Sequence, residues 1–398
     1  MLIGIVGKPN VGKSTFFKAA TLAEAEIANR PFTTIKPNEG VGFVRVDCAE
    51  KFFNVKCNPR QGFCIDGQRF VPAKMIDVAG LVPGAHEGKG LGNKFLSDLV
   101  QADVLIHIVD ASGSTDAEGK IVDAGSYDPL QDVRFVEEEL DKWFFSMLKE
   151  NWSKFVRQSL QKSADKALAE QFYGFKITLD MIAKALRSTN LGNKMLINWT
   201  DSDIQEFASA VRLMSKPVII AANKIDLHSA KANVERLKKE FPNYLIVPCS
   251  AESELALREA AKADLIKYIP GDDKFEILKP EKLSAQQKKA LDFVKEKILG
   301  IWRTTGVQTC LNSAVFDFLK FIAVFPVENA TKVSDQKGNV LPDAHLLPQN
   351  STTLDLAAKI HTDFAKKFVA AIDVKTKRKT GRDTVLKNLD VIEIMTSK

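Results

Sequence analysis

At 398 residues the chain is long enough for two or three domains of about 150 residues, each able to bury its own core. Its 45% hydrophobic and 27% charged residues exclude a disordered or collagen-like polypeptide, and no apolar run nears the roughly 18 residues needed to span a bilayer. The net charge of +6 permits a polyanionic partner without requiring one.

Leu2–Val6 reads as a buried strand running straight into a glycine-bearing turn, and residues 14–25 as a helix, the opening of a parallel α/β domain. No targeting segment is read before that strand, so a cytoplasmic protein is expected. Further strands are expected at residues 41–46 and 74–77. Residues 104–110 and 218–223 are continuous apolar runs, the mark of parallel strands buried on both faces, and together they predict a doubly wound, mostly parallel sheet. Between residues 116 and 217 the apolar positions fall at helical spacing, which predicts a helical insertion. A helix over 252–267 follows, with a break at Pro270-Gly271 and a new start at Ser284, where Ser284 and Gln287 form a capping box. Helices near 291–298 and 307–319 lead to a boundary at Phe321. Beyond it come a strand at Phe321–Val327, a turn at Lys337-Gly338-Asn339, a helix over 353–372 and a strand at 391–395, a separate small α+β module. The expected organisation is therefore a first part of the α/β domain (1–127), the insertion (128–210), the second part with trailing helices (211–320) and the module (321–398).

Gly7-Lys8-Pro9-Asn10-Val11-Gly12-Lys13-Ser14 matches G-x-x-x-x-G-K-S in the strand-to-helix context that a phosphate-binding loop requires. Backbone N–H groups and the helix N-terminus make an anion nest, Lys13 supplies a point charge at the β- and γ-phosphates, and Ser14 offers an oxygen to Mg²⁺. Asp77, ending an apolar strand, opens a D-x-x-G: its carboxylate reaches Mg²⁺ through water, and the Gly80 N–H senses the γ-phosphate. Gly84, Gly88, Gly90 and Gly92 then crowd a segment expected to be ordered by ligand. Asn223-Lys224-Ile225-Asp226 follows an apolar strand, and the Asp226 carboxylate suits the two donors of guanine, N1 and the exocyclic amine. With the small residues Ser250-Ala251 to close the base pocket, this favours GTP over ATP. The five cysteines, Cys48, Cys57, Cys64, Cys249 and Cys310, are scattered without a C-x-x-C pair, so reduced thiols are expected rather than a disulfide framework or a metal cluster.

With GKPNVGKS, PFTTIKPNEG (31–40) and DVAGLVPGAHEGKGLGNKFL (77–96) in hand, the chain resembles the YchF/Obg-like family of translation-factor-related P-loop GTPases, with an arrangement similar to archaeal members. The resemblance covers nearly the whole chain. It implies that the α/β domain is a nucleotide-binding G domain and that the last module is a β-grasp domain of the TGS type. It also implies that Gly7, Pro9, Asn10, Val11, Gly12, Lys13, Ser14, Thr15, Asn223, Lys224, Asp226, Ser250 and Ala251 surround the nucleotide. Thr34, chosen over its neighbour Thr33 by resemblance, would close on Mg²⁺ and the γ-phosphate, and Asn10 would help to hold a potassium ion. A local alternative for Asn10 is a loop side chain bonding its own turn. Bacterial and eukaryotic members usually carry Glu where Asp226 stands and tend to prefer ATP.

Leu81 occupies the place of the water-orienting glutamine, so slow intrinsic turnover is expected. Two histidines are candidates to compensate: His86 in the glycine-rich segment, and His107, which matches a histidine proposed as catalytic in the family. A histidine inside a buried strand is more often a core residue. Lys366, Lys367, Lys375, Lys377, Arg378, Lys379 and Arg382 cluster at a helix end and the following loop. They form either a phosphate-contacting face or a solvated run at a helix C-terminus. The expected function is a Mg²⁺-dependent GTP-binding and hydrolysing switch acting with the ribosome or structured RNA, with no membrane or DNA partner. Two alternatives stand beside it, an ATPase of the same fold in stress or redox regulation, and an RNA-binding module that nucleotide merely orders.

Overall fold

The computed structural model describes residues 1–21, 39–78, 99, 101–172 and 175–397. In chain order the strands are β1 (Leu2–Val6), β2 (Glu39–Asp47), β3 (Phe63–Ile65), β4 (Gln68–Asp77), β5 (Val104–Asp110), β6 (Val218–Asn223), β7 (Leu245–Pro248), β8 (Ile266–Tyr268), β9 (Phe275–Ile277), β10 (Phe321–Val327), β11 (His345–Pro348), β12 (Phe368–Asp373), β13 (Arg378–Thr380) and β14 (Val391–Thr396). The chain divides into two compact units. One comprises Met1–Ala19, Met75–Ala256 and Leu283–Val307; the other comprises Ala20–Lys74, Leu257–Lys282 and Gln308–Lys398.

In the first unit the end of β4, then β1, β5, β6 and β7 lie side by side. β1 pairs with β5, β5 with β6 and β6 with β7, all parallel, the sheet that two-sided apolar runs dictate. Every residue of β5 and β6 is buried. The register sets Asp110 beside Asn223 at the C-terminal ends of these strands, where ligands of doubly wound sheets bind. Val6, Ile76, Val78, Leu105 and Val218 form the core on one side, joined by Val136 and Leu140 of the Leu130–Glu150 helix.

That helix opens the insertion, which continues through Trp152–Ser159, Ala164–Gln171, Leu179–Ser188 and Asp201–Ser215. A capping box of Thr200 and Asp203 starts the last of these. Its aromatic core includes Phe144, Phe155, Phe172, Trp199 and Phe207, and Trp199 stacks edge-on to Phe207 at 5.3 Å.

In the second unit β3 and β4 form a hairpin, and the Phe63 and Phe70 rings stack at 4.5 Å beside Phe43. Gly62 precedes the hairpin at φ +68°, where a Cβ would lie 2.0 Å from the Phe70 carbonyl oxygen, so only glycine fits. Side-chain amides take up backbone groups of β2: Gln308 Nε2 donates to Phe43 O at 2.8 Å, while Asn312 bonds both N and O of Arg45. The last sheet runs β11-β10-β14-β12-β13, with β10 and β14 parallel and the other pairs antiparallel, the β-grasp arrangement expected.

Several elements depart from the pattern expected of them. The helix expected over 252–267 stops at Lys262, because Asp264 turns left-handed (φ +54°), and Ile266–Tyr268 pairs with β9 instead. The helix expected over 353–372 is two short helices, Thr353–Ile360 and Thr362–Lys366, broken at His361, whose extended backbone and Nδ1 cap the second. Residues 368–373 form β12, since pairing with β14 satisfies their backbone and the apolar helical spacing is fortuitous. The basic residues expected in a loop flank this hairpin, with Arg378 and Lys379 in β13 itself. Finally, residues 294–299 and 313–318 continue their helices in π geometry.

Phe207 is fully buried, and three of the four tryptophans (Trp143, Trp152 and Trp199) lie in the insertion. Phe207→Ala should cost about 3–5 kcal/mol and lower the urea midpoint of the tryptophan-fluorescence transition. An unchanged midpoint would mean that this core does not hold the insertion together.

Candidate nucleotide-binding site

The glycine-bearing turn between β1 and the helix α1 (Lys13–Thr21) carries Gly7, Pro9, Asn10, Val11 and Gly12. Phe16 N donates to Gly12 O at 2.8 Å, closing the first helical turn, with Lys13, Ser14 and Thr15 at the helix N-terminus. Gly12 has φ +94°, and a Cβ there would lie 2.3 Å from Asn223 Nδ2. That close approach is the physical reason for the second glycine of the motif.

Asn223, almost wholly buried at the end of β6, uses both halves of its amide. Nδ2 donates to Val11 O at 2.8 Å, and Oδ1 accepts from Ala251 N at 3.0 Å. One side chain thereby joins the phosphate loop to the Ser250-Ala251 segment. Ser250 Oγ donates to Asp226 Oδ1 at 2.9 Å, which orients a half-buried carboxylate whose remaining acceptor capacity is free for a base. Lys224 adopts a left-handed backbone (φ +62°), and its ammonium donates to Asp110 Oδ2 at 2.9 Å. Asn223, Lys224, Asp226, Ser250 and Ala251 thus lie together.

Lys13 Nζ forms an ion pair with Asp77 Oδ1, so the phosphate-loop cation and the strand-end carboxylate share one place. Ser14 is exposed beside them. A hydroxyl and a carboxylate are the hard oxygen donors that Mg²⁺ takes, and the residues present fit that ion. Thr33, Thr34, Gly80, Leu81, His86 and the glycines at 84, 88, 90 and 92 lie outside the described residues.

Asn10 does not bond its own turn. Its Nδ2 donates to the carbonyl of Gly119, far along the chain, at 2.9 Å. His107 is fully buried in β5, and burial, helped by the Lys8 charge, holds its imidazole down at about 3, neutral at any ordinary pH.

Three residues of the site escaped the motif reading. Lys8 is buried inside the loop, where its ammonium donates to Asp132 Oδ1 at 2.8 Å and Thr115 O at 3.0 Å and lies over the Tyr127 ring. Burial raises the Asp132 carboxyl to about 6 despite that partner. Asp110 gathers Ser114, Thr115 and Lys224 within 2.9 Å as well as Ser112. Burial opposes its ionisation, but those donors outweigh it and hold the carboxyl below the usual range. Its position at the end of a buried parallel strand was the available signal; for Lys8 and Asp132 there was none.

Three family models match the chain: a 50S ribosome-binding GTPase domain over residues 2–138, the G4 motif-containing domain of YGR210-like Obg-like GTPases over 221–329, and a TGS domain over 337–396. An uncharacterized GTP-binding protein of Methanocaldococcus jannaschii is 50% identical over 100% of this chain and 99% of its own length. A protein of Mycoplasma genitalium named ribosome-binding ATPase YchF is 32% identical over 64% of this chain and 66% of its own. The crystal structure of a GTP-binding protein from Pyrococcus horikoshii superposes with a TM-score of 0.76 at 38% identity, covering 100% of both chains.

A neutral His107 makes a signed prediction. An unfolded imidazole protonates near 6.5 and the native one near 3, so its contribution to stability is complete above 6.5 and is lost as pH falls toward 3, at about 1.4 kcal/mol per pH unit. In urea titrations between pH 7 and 4, His107→Leu should flatten this acid limb. An identical slope in both proteins would mean that the imidazole reaches water.

Proposed function

Because the chain belongs to the YchF/Obg-like family of P-loop GTPases and carries a C-terminal TGS domain, we propose that it is a Mg²⁺-dependent GTP-binding and hydrolysing switch that engages the ribosome or another structured RNA. The observation that carries the choice of base is the Asp226 carboxylate, oriented by Ser250 Oγ and framed by the Asn223 amide bonds. It faces two N–H donors on guanine; adenine would set an acceptor lone pair against it.

In this reading the loop N–H groups and the α1 N-terminus hold the β-phosphate. Lys13 would turn from Asp77 to the β- and γ-phosphate oxygens, and Asp77 and Ser14, with Thr34, would hold the metal. Mg²⁺ held there would supply neutralisation of phosphate charge. The Gly80 N–H reads the γ-phosphate, and with Leu81 in the glutamine position turnover is slow. Asn10, whose Oδ1 is left over from its bond to Gly119, is the proposed potassium ligand. The burial of His107 favours its reading as a core residue over that of a base. Lys377, Arg378, Lys379 and Arg382 are exposed, and Lys375 is half-buried over the Phe52 ring, which supports the use of this cluster on phosphates of RNA. A related protein named an ATPase keeps the second reading, an ATPase of the same fold, in view.

Asp226→Asn should weaken GTP at least about fivefold, the lower end of the roughly 1–3 kcal/mol for an unsatisfied polar group, and favour xanthosine triphosphate. Calorimetric titration with both nucleotides and with ATP checks this. Undiminished GTP affinity, or tighter ATP binding by the native chain, would remove guanine selectivity.

Sedimentation with ribosomes should be stronger with a non-hydrolysable GTP analogue than with GDP, and should weaken steeply with salt. Neutralising the five basic residues should lower binding and flatten the salt slope. If binding is the same in both nucleotide states, the switch assignment fails; if the neutralised protein binds as well as the native one, docking belongs to another surface.

A further inference from the structure

The second unit brings together three of the five cysteines. Cys48 follows β2, Cys57 lies in the loop beyond, Cys64 is in β3, and Glu50 begins a short helix between the first two. The sequence spacing is Cys48-x-Glu50-x6-Cys57-x6-Cys64, which contains no C-x-x-C and so gives no signal. In space, one ligand atom from each of the four residues lies within 4.8 Å of every other. We propose that Cys48, Glu50, Cys57 and Cys64 form a tetrahedral zinc site.

The distances fit one ion. A tetrahedral zinc with Zn–S near 2.3 Å and Zn–O near 2.0 Å has S···S edges of about 3.8 Å and S···O edges of about 3.5 Å. Cys48 Sγ and Cys57 Sγ are 3.7 Å apart, and Cys64 Sγ is 3.5 Å from Glu50 Oε1. A disulfide would engage two of these sulfurs and leave the carboxylate and the third without a task. An iron–sulfur cluster takes four thiolates, and three sulfurs with one carboxylate suit a single borderline cation.

The surroundings supply what such a site requires. Glu50 Oε2 accepts from Cys57 N at 2.9 Å, which turns Oε1 toward the sulfurs, the outer hydrogen bond that orients a ligating carboxylate. Arg69 is fully buried, and among the described residues no carboxylate pairs with it. Its Nη1 faces Cys57 Sγ at 3.9 Å, while Nη1 and Nη2 also donate to the carbonyls of Leu341 and Pro342. A buried guanidinium needs a counter-charge, and three thiolates and a carboxylate around a dication leave a net −2 beside it. A cavity lined by Lys56, Cys57, Cys64 and Gly67 gives the ion a way in. Asn58 and Arg60, just past Cys57, bond Val340 N and the Asp343 carboxylate, so the metal would stiffen the loop that anchors the TGS domain.

The test uses the full-length chain, purified reduced and free of metal, with Co²⁺ as the spectroscopic probe. One equivalent should give thiolate-to-cobalt charge transfer and the intense visible bands of a tetrahedral site, saturate at one ion per chain, and be displaced by Zn²⁺. Cys57→Ser should lose the spectrum, Glu50→Gln should weaken binding by at least about tenfold, and Cys310→Ala, outside the cluster, should retain it. The native chain alone decides the matter if a variant fails to fold. A weak octahedral spectrum, no stoichiometric uptake, or ready formation of a Cys48–Cys57 disulfide in place of uptake would overturn the site.

Discussion

A single primary amide holds the nucleotide site together. Asn223 has one donor direction toward the phosphate loop and one acceptor toward the base loop, and it fills both with backbone partners, Val11 O and Ala251 N. Because it is buried, losing it would strand two backbone groups away from water, at about 1–3 kcal/mol each. Its bulk also dictates Gly12, since no side chain fits where Nδ2 sits. The two motifs of the chain, far apart in sequence, are therefore one construction. β6 delivers the amide because its apolar residues bury it between β5 and β7.

Around that amide the charges are arranged in pairs. Lys13 rests on Asp77, and Lys224 rests on Asp110. Asp77 is the more exposed of the two carboxylates, and Asp110 is almost wholly buried. Lys8 behaves differently. Its pair with Asp132 is buried on both sides, and it ties the loop to the first turn of the insertion's leading helix. Breaking a buried pair leaves an uncompensated charge, so loop and insertion are coupled by a bond that is costly to open.

The second unit depends on a different buried cation. Arg69 reaches from β4 to two carbonyls near residue 341 and to a sulfur of the cysteine cluster. Its Nε has no partner among the described residues, which places unusual weight on the electrostatics of its neighbours. The phenylalanine stack of the hairpin and the amides of Gln308 and Asn312 fix the strands on which that arginine and the cysteines are mounted.

What the sequence determined by itself were the features encoded locally. Two-sided apolar runs at 104–110 and 218–223 specify buried parallel strands, helical spacing specifies the insertion, and G-x-x-x-x-G-K-S and N-K-x-D require particular residue types at fixed offsets. The helices expected to reach 267 and 372 end earlier because short apolar segments satisfy helical and strand periods alike, and the pairing strand that decides between them is remote. Only the tertiary structure set Lys8 against Asp132, Asn10 against Gly119 and Asn223 against Gly12, and only it gathered Cys48, Glu50, Cys57 and Cys64. Periodicity and motif spacing are written in neighbouring residues. Buried charges and ligand clusters are satisfied by whichever partner the fold brings within hydrogen-bonding distance, and no local pattern records that partner.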